Sequence, residues 1–279
     1  MSVKETRNLL FTFAEKCEEQ HGRGAETLQR EIICDSVMKF FPEVNSEVIQ
    51  YELLKNGLFE PTEWKSLKKT VRKLELNHVW DIVKQEYKYL RELWGGPKVS
   101  IYIYPIKKES AQWRKDFPRK NGIAYRNVLF LFVSPELNKE EIKALVAHEY
   151  NHVCRLKFLS SPPAAISLAD SVIIEGLGEF AVKQLYGKKW IAPWTNMYRL
   201  EEAKEVWERH FVPGLHIKGI KNHQLYLFGQ NKTPFPKWIG YHIGYQIVYT
   251  YNKKRGPFVM KELLLKTSDE IIAGSDFAI

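Results

Sequence analysis

Residues 146–156 read VAHEYNHVCRL and place His148 and His152 four apart, with Glu149 directly after the first histidine. On an α-helix, positions i and i+4 stand one above the other on the same face. Two imidazole nitrogens spaced this way can reach a single ion at about 2.0–2.1 Å. Glu149 lies about 100° further round the helix, close enough to touch a water on such an ion and offset enough to stay off the ion itself. Two histidines and a neighbouring carboxylate in this relation are what metal-assisted hydrolysis requires.

A third ligand must come from elsewhere. In SLADSVIIEGLGEFAVKQLYG, residues 167–187, Glu175 stands among Val172, Ile173, Ile174 and Leu177. A carboxylate in such surroundings is costly to bury unless a partner offsets its charge, and a zinc ion shared with His148 and His152 would be that partner. Gly176 and Gly178 remove side-chain bulk and let another helix approach, at about 1 kcal/mol of helix propensity each. Glu179 lies one turn beyond Glu175 on the same face. There it could accept a hydrogen bond from the distal N–H of His148 or His152 and fix the ring; the competing assignment is a surface carboxylate or a local ion pair.

PKWIGYHIGYQIVYTY, residues 236–251, repeats Gly-Tyr at Gly240-Tyr241 and Gly244-Tyr245. The glycines share one face and allow close packing, while the tyrosines fall on an adjacent face. A phenol O–H aimed at a substrate carbonyl would stabilise the oxyanion that develops there. Tyr241 is the first candidate, with His242 and Tyr245 as alternatives; the competing role for each is core packing with a satisfied polar atom.

These residues need rigid elements to position them. Asn138 and Glu141 form a capping-box-like pair, which predicts a helix over KEEIKALVAHEYNHVCRLKFL, with Ile142, Leu145, Val146, Val153 and Leu156 on its buried side. Ser167 and Asp170 cap the second helix, and Gly187 suits its C′ position. VSIYIYPI and the apolar run Val128–Val133 are predicted strands, separated by a polar stretch over 107–121. Before WGGPK, residues 94–98, the chain reads as helical: Trp64, Leu67, Val71 and Leu74 mark one buried stripe, and Trp80, Val83, Tyr87 and Leu90 or Leu93 a second. After Asn138 it reads mostly as helices, broken at SSPPA, YGKKW, VPG and KRGP. Helices, then a few strands, then helices carrying the polar motifs define a helix-rich α+β chain. The expected division is an N-terminal helical part, 1–95, and a catalytic domain, 96–279, unless the two form one continuous domain.

Composition narrows the setting. Hydrophobic residues make up 44% and charged residues 27%, an ordinary soluble balance. No run of about 18 apolar residues is present, so no membrane span is expected, and the acidic residues of MSVKETRNLLFTFAEKCEEQ argue against a secretory or transit segment. Cys17, Cys34 and Cys154 lack metal-ligand spacing and read as free thiols of a reducing cytoplasm. The net charge of +9 includes Lys65, Lys68, Lys69, Arg72 and Lys73, read as the solvated face of an amphipathic helix rather than a nucleic-acid contact.

Taken together, AHEYNH, IIEGLGEF and GYHIGY resemble the YjaZ-like family of predicted zinc-dependent proteases. NGLFEP, the strand before the helix and the closing LLLKTSDEIIAGSDF share the likeness, which spans the chain from about residue 40. More broadly, HExxH followed by a glutamate in an EG-containing helix is similar to the gluzincin, thermolysin-like metallopeptidases. That resemblance implies zinc ligation by His148, His152 and Glu175, Glu149 as catalytic base, and a helix-rich zincin unit with a small sheet. Glu175-xxx-Glu179 is similar to the Glu-xxx-Asp of those enzymes, whose later carboxylate supports a ligand histidine. The interval between His152 and Glu175 departs from the usual aminopeptidase spacing, so exopeptidase action is not implied.

The expected activity is therefore zinc-dependent hydrolysis of a peptide or protein substrate, with no membrane or nucleic-acid partner. By analogy with zincins, NVLFLFVSPEL would be an edge strand that binds substrate by β-augmentation. The rivals are a non-catalytic zinc-binding regulator or interaction protein that uses the basic face, and a hydrolase of non-peptide amides or esters. An intact Glu149 counts against the first, since a purely structural zinc site has no need of it.

Overall fold

Capping side chains decide where the two longest helices begin. In the computed structural model, which describes residues 2–108, 119–230 and 233–279, Asn138 Oδ1 accepts from the Glu141 N–H and Glu141 Oε2 accepts from the Asn138 N–H, each at 2.9 Å. The exchange satisfies backbone donors that a helix start leaves without partners, and the helix Lys139–Leu159 follows. Ser167 and Asp170 form the same box ahead of the helix Leu168–Tyr186. Gly187, at φ 87°, ends that helix in a conformation costly for any residue with a Cβ.

Contacts divide the chain into two units. The first comprises Met1–Tyr89 and Lys98–Val146. It holds α1 (Thr6–Glu19), α2 (Ala25–Gln29), α3 (Ser46–Lys55), α4 (Trp64–Leu76) and most of α5 (Val79–Trp94), then β1 (Ser100–Pro105), β2 (Lys120–Ala124), β3 (Val128–Val133) and the start of α6 (Lys139–Leu159). On α4, Leu67, Val71 and Leu74 are buried as expected and Trp64 is half-buried; Lys65, Lys69, Arg72 and Lys73 face solvent, while Lys68 is half-buried and paired with Glu18. On α5 the stripe continues through Leu90, and Leu93 is exposed.

The strands form a three-stranded sheet in the order β1-β3-β2, with β1 parallel and β2 antiparallel to β3. This corrects the expectation that NVLFLFVSPEL is an edge strand. All six residues of β3 are buried, and its backbone is paired on both sides, so no ladder groups remain for a substrate strand. The polar stretch expected over 107–121 lies largely outside the described residues. Through α1 and α4, which pack on β1, the sheet groups with the N-terminal helices.

The second unit comprises Leu90–Pro97 and Ala147–Ile279. It contains the rest of α6, then α7 (Leu168–Tyr186), α8 (Leu200–Val206), α9 (Gln224–Phe228), α10 (Ile239–Arg255), α11 (Met260–Leu263) and α12 (Ser268–Ala273). Its centre is the packing of α7 on α10, which brings backbone against backbone. A Cβ on Gly176 would lie 2.1 Å from the Gly244 carbonyl oxygen, and one on Gly244 would lie 2.2 Å from that of Val172. Fully buried Arg155, on α6, binds the carbonyls of Leu264 and Lys266 and the Ser268 hydroxyl, which ties α6 to the C-terminal turns. The Trp94 ring stacks on Tyr150 at 5.9 Å, and the Tyr150 hydroxyl donates to the Pro97 carbonyl, which fixes the Gly-Gly-Pro turn against α6. All three cysteines are free and buried. Among the described residues no helix is long and apolar enough to cross a membrane. The fold is thus helix-rich α+β with a small sheet.

Candidate metal centre

The α6 spacing places His148 and His152 with ring centroids 4.5 Å apart and planes at 75°. Both turn their Nε2 atoms toward one oxygen of Glu175 on α7: Oε2 lies 3.5 Å from His148 Nε2 and 3.4 Å from His152 Nε2. All three candidate ligand atoms fall within 4.8 Å of one another. Four donors held at about 2.1 Å in a tetrahedron are separated by roughly 3.4 Å, so the observed spacings suit a zinc ion between them. Glu175 Oε2 is also buried without a hydrogen-bond partner. Such an oxygen is expensive unless a cation or donor satisfies it, and two histidines with a carboxylate form a donor set that zinc accepts. The residues fit the ion.

Room for the rings comes from Gly178. A Cβ there would lie 2.9 Å from His152 Cε1 and 3.0 Å from both Cε1 and Nδ1 of His148. Gly176 and Gly178, alike in sequence, therefore do different work: Gly176 admits α10 and Gly178 admits the imidazoles. On the α10 side, Gly244 meets α7, whereas a Cβ on Gly240 would press on Leu227 and the Tyr226 carbonyl at 2.7 Å.

Glu179 is no surface carboxylate. It is buried, its Oε1 lies 3.4 Å from His148 Nδ1, and its Oε2 accepts from the Ala192 N–H at 2.9 Å. Of the two histidines offered by the sequence, His148 is the one it meets.

The electrostatics are those of a buried, tightly coupled group. Burial drives the Glu175 carboxyl upward, but the charges of His152 and His148 outweigh it and hold it at about 2. Burial lowers the affinity of His148 for a proton, yet Glu175 and Glu179 together raise it well above the usual histidine range. Glu149 is buried beside them, and its carboxyl is raised from the ordinary value by burial, against the pull of the two histidines.

Of the three candidates on α10, Tyr241 is the one joined to this group. Its phenol is raised well above 10 by burial and by the charges of Glu175 and Glu149. Tyr245 is pushed up to about 12, by burial first and then by Tyr249 and Glu179. His242 is buried, with Nδ1 3.2 Å from the Trp194 carbonyl, so its ring holds the 192–196 strap against α10. That strap, with Ala192 on Glu179 and Trp194 5.6 Å from Tyr241, had no sequence motif to announce it. Neither did Trp238 and Phe228, whose rings lie 5.2 and 5.5 Å from Tyr241.

Comparison with known proteins points the same way. The chain is similar to the uncharacterized protein YjaZ of Bacillus subtilis (strain 168), 35% identical over 185 residues that make up 65% of this chain and 69% of that protein. It is also similar to the uncharacterized protein YjfC of the same organism, 24% identical over 173 residues, 56% of this chain and about half, 54%, of that protein. No solved structure matches it. The profile of one family matches residues 79–273, which takes in AHEYNH, IIEGLGEF and GYHIGY but not NGLFEP. On that match the chain belongs to the family of predicted Zn-dependent proteases, DUF2268.

Proposed function

We propose that this protein is a zinc metallopeptidase of the gluzincin type, with His148, His152 and Glu175 holding the ion and Glu149 acting as general base. One observation carries the reading: a buried carboxylate oxygen of Glu175, satisfied by no hydrogen bond, lies 3.4 and 3.5 Å from the Nε2 atoms of His152 and His148. When bound, zinc supplies a Lewis acid that polarises a carbonyl and brings the pKa of water toward ~7.

The chain's own residues supply the rest. Glu149, whose proton affinity burial has raised, takes the proton of the attacking water and passes it to the leaving amine; a base tuned upward serves better in the second role than an ordinary carboxylate. Tyr241 keeps its proton far above neutral pH and donates a hydrogen bond to the substrate carbonyl oxygen as that oxygen gains charge. Glu179 holds the His148 ring through Nδ1. A metal-binding regulator without turnover has no use for a buried carboxylate at position 149, which favours the enzyme. Its substrate is a peptide or protein, and its setting is the cytoplasm, in keeping with three free, buried thiols.

The test pairs two variants. Glu149→Gln should retain zinc and lose casein hydrolysis by at least about a hundredfold, whereas Glu175→Ala should lose both. Turnover by Glu149→Gln at the wild-type rate, or wild-type zinc content in Glu175→Ala, would refute the assignment.

A further inference from the structure

Large rings collect on one flank of Tyr241. Trp194 and Trp238 stack with centroids 4.6 Å apart and planes at 20°. Tyr241 meets Trp238 edge-on at 5.2 Å, Trp194 at 5.6 Å and Phe228 at 5.5 Å, and Phe228 meets Trp238 at 5.2 Å. The group is not sealed. Phe228 is 40% exposed, and Trp194, Trp238 and Tyr241 are only half-buried. Aromatic rings grouped and left partly open to water in this way are a common mark of a binding surface.

The backbone beneath the cluster is strained. Trp238 sits at φ 62° and ψ 18°, in the left-handed region that a bulky residue avoids. Strain of this kind persists where the surroundings over-determine it, and it gathers at ligand sites. Here the Trp238 N–H donates to the Phe228 carbonyl at 2.7 Å, while Trp194 is held through its own carbonyl by His242. The rings are therefore fixed before any ligand arrives, and they adjoin Tyr241 on α10, the helix that packs against the α7 helix carrying Glu175.

We propose that Phe228, Trp238 and Trp194 form a subsite that seats a large apolar side chain, aromatic for preference, next to the scissile bond of the substrate. The inference rests on the peptidase reading for the bond that is cut, but not for binding. A flat ring can stack on, or meet edge-on, the parts of these rings that remain open. An acidic side chain would instead lose water beside the Glu175 and Glu149 carboxylates that already act on Tyr241, and a glycine would leave the faces wet.

Binding can be read without turnover. Labelled peptides that differ only in Phe, Leu, Gly or Asp at one position are titrated by fluorescence anisotropy into zinc-loaded Glu149→Gln protein, and the same peptides are digested by the wild type. The Phe peptide is expected to bind about tenfold or more tighter than the Gly peptide, with Leu between them and Asp weakest. Phe228→Ser and Trp238→Gly, each added to Glu149→Gln, should bring the Phe-to-Gly ratio toward one. Glycine suits the φ of residue 238, so the second variant removes the indole without disturbing the backbone. Equal affinities for the Phe and Gly peptides, or a preference that survives both variants, overturns the subsite whether or not wild type cuts peptides. Preferential binding lost in both variants, with no cleavage by wild type, upholds the subsite and removes the peptidase reading.

Discussion

Glu179 meets His148 on the edge of the ring away from Glu175: Oε1 stands 3.4 Å from Nδ1, while Glu175 Oε2 stands 3.5 Å from Nε2. A carboxylate at Nδ1 keeps the proton there and leaves the Nε2 lone pair free for a cation. Glu179→Gln is nearly isosteric and retains an acceptor for the Ala192 N–H, so the fold should persist. Zinc affinity should fall about 10–100-fold, measured by competition with a chromophoric chelator. Unchanged affinity would leave Glu179 with no role beyond tethering the strap.

Gly176 and Gly178 separate two consequences of one substitution. Alanine at 176 would drive a Cβ to 2.1 Å from the Gly244 carbonyl oxygen, a backbone atom that cannot move without parting α7 from α10. Gly176→Ala should therefore cost stability, by about 1–3 kcal/mol or more, in urea unfolding of the metal-free protein. Alanine at 178 would meet imidazole carbons at 2.9 and 3.0 Å, and rings can turn. Gly178→Ala should leave unfolding close to wild type, helped by the about 1 kcal/mol that alanine gains in a helix, while zinc uptake drops. Equal effects of the two substitutions on both measurements would contradict this division.

The same glycines mark where sequence stops being legible. Both predicted close approach, but the approaching group differs, and only tertiary packing decides it. The grouping of His148, His152 and Glu175 was readable, because helical periodicity places the two histidines on one face and Glu175 stands among apolar neighbours in the sequence. Helix limits were readable because Asn138–Glu141 and Ser167–Asp170 signal through local hydrogen bonds. The edge-strand assignment failed because burial of the two faces does not report a strand's place in the sheet: β1, at the margin, is nearly as buried as central β3. Its antiparallel neighbour, Lys120–Ala124, half-buried and without a clear apolar run, carried too weak a pattern to stand out as a separate strand. The Trp194–Trp238 stack joins residues far apart in sequence and has no local signature at all.

Arg155 yields a prediction about stability alone. Its guanidinium is fully buried and donates to two carbonyls, of Leu264 and Lys266, and to the Ser268 hydroxyl. Arg155→Met keeps much of the packing volume but leaves those acceptors without the donor. The expected cost is about 3–5 kcal/mol, read as a lower urea midpoint with an unchanged slope. A loss below about 0.5 kcal/mol, the level of an ordinary surface change, would show that the C-terminal turns are held by apolar contacts instead.

Alkaline pH should weaken the metal-free protein. Burial pushes the Cys34 and Cys154 thiols up to about 12 from an ordinary 9.0, and the Tyr245 phenol to about 12 from 10.0. In the unfolded chain these groups ionise at their ordinary values, while in the native state they stay protonated until about pH 12. The unfolded state therefore sheds protons first, and linkage makes stability fall as pH rises. The contribution is whole below about pH 9 and is lost progressively as pH climbs through the native values near 12. Urea midpoints taken at about pH 8, 9.5 and 10.5 should decline in that order. At about pH 8 an aromatic disulfide reagent should find none of the three thiols in the native protein and all three after denaturation. Midpoints that hold steady across the series, or thiols that react at once in the native state, would mean that water reaches Cys34 and Cys154 and that burial does not set their protonation.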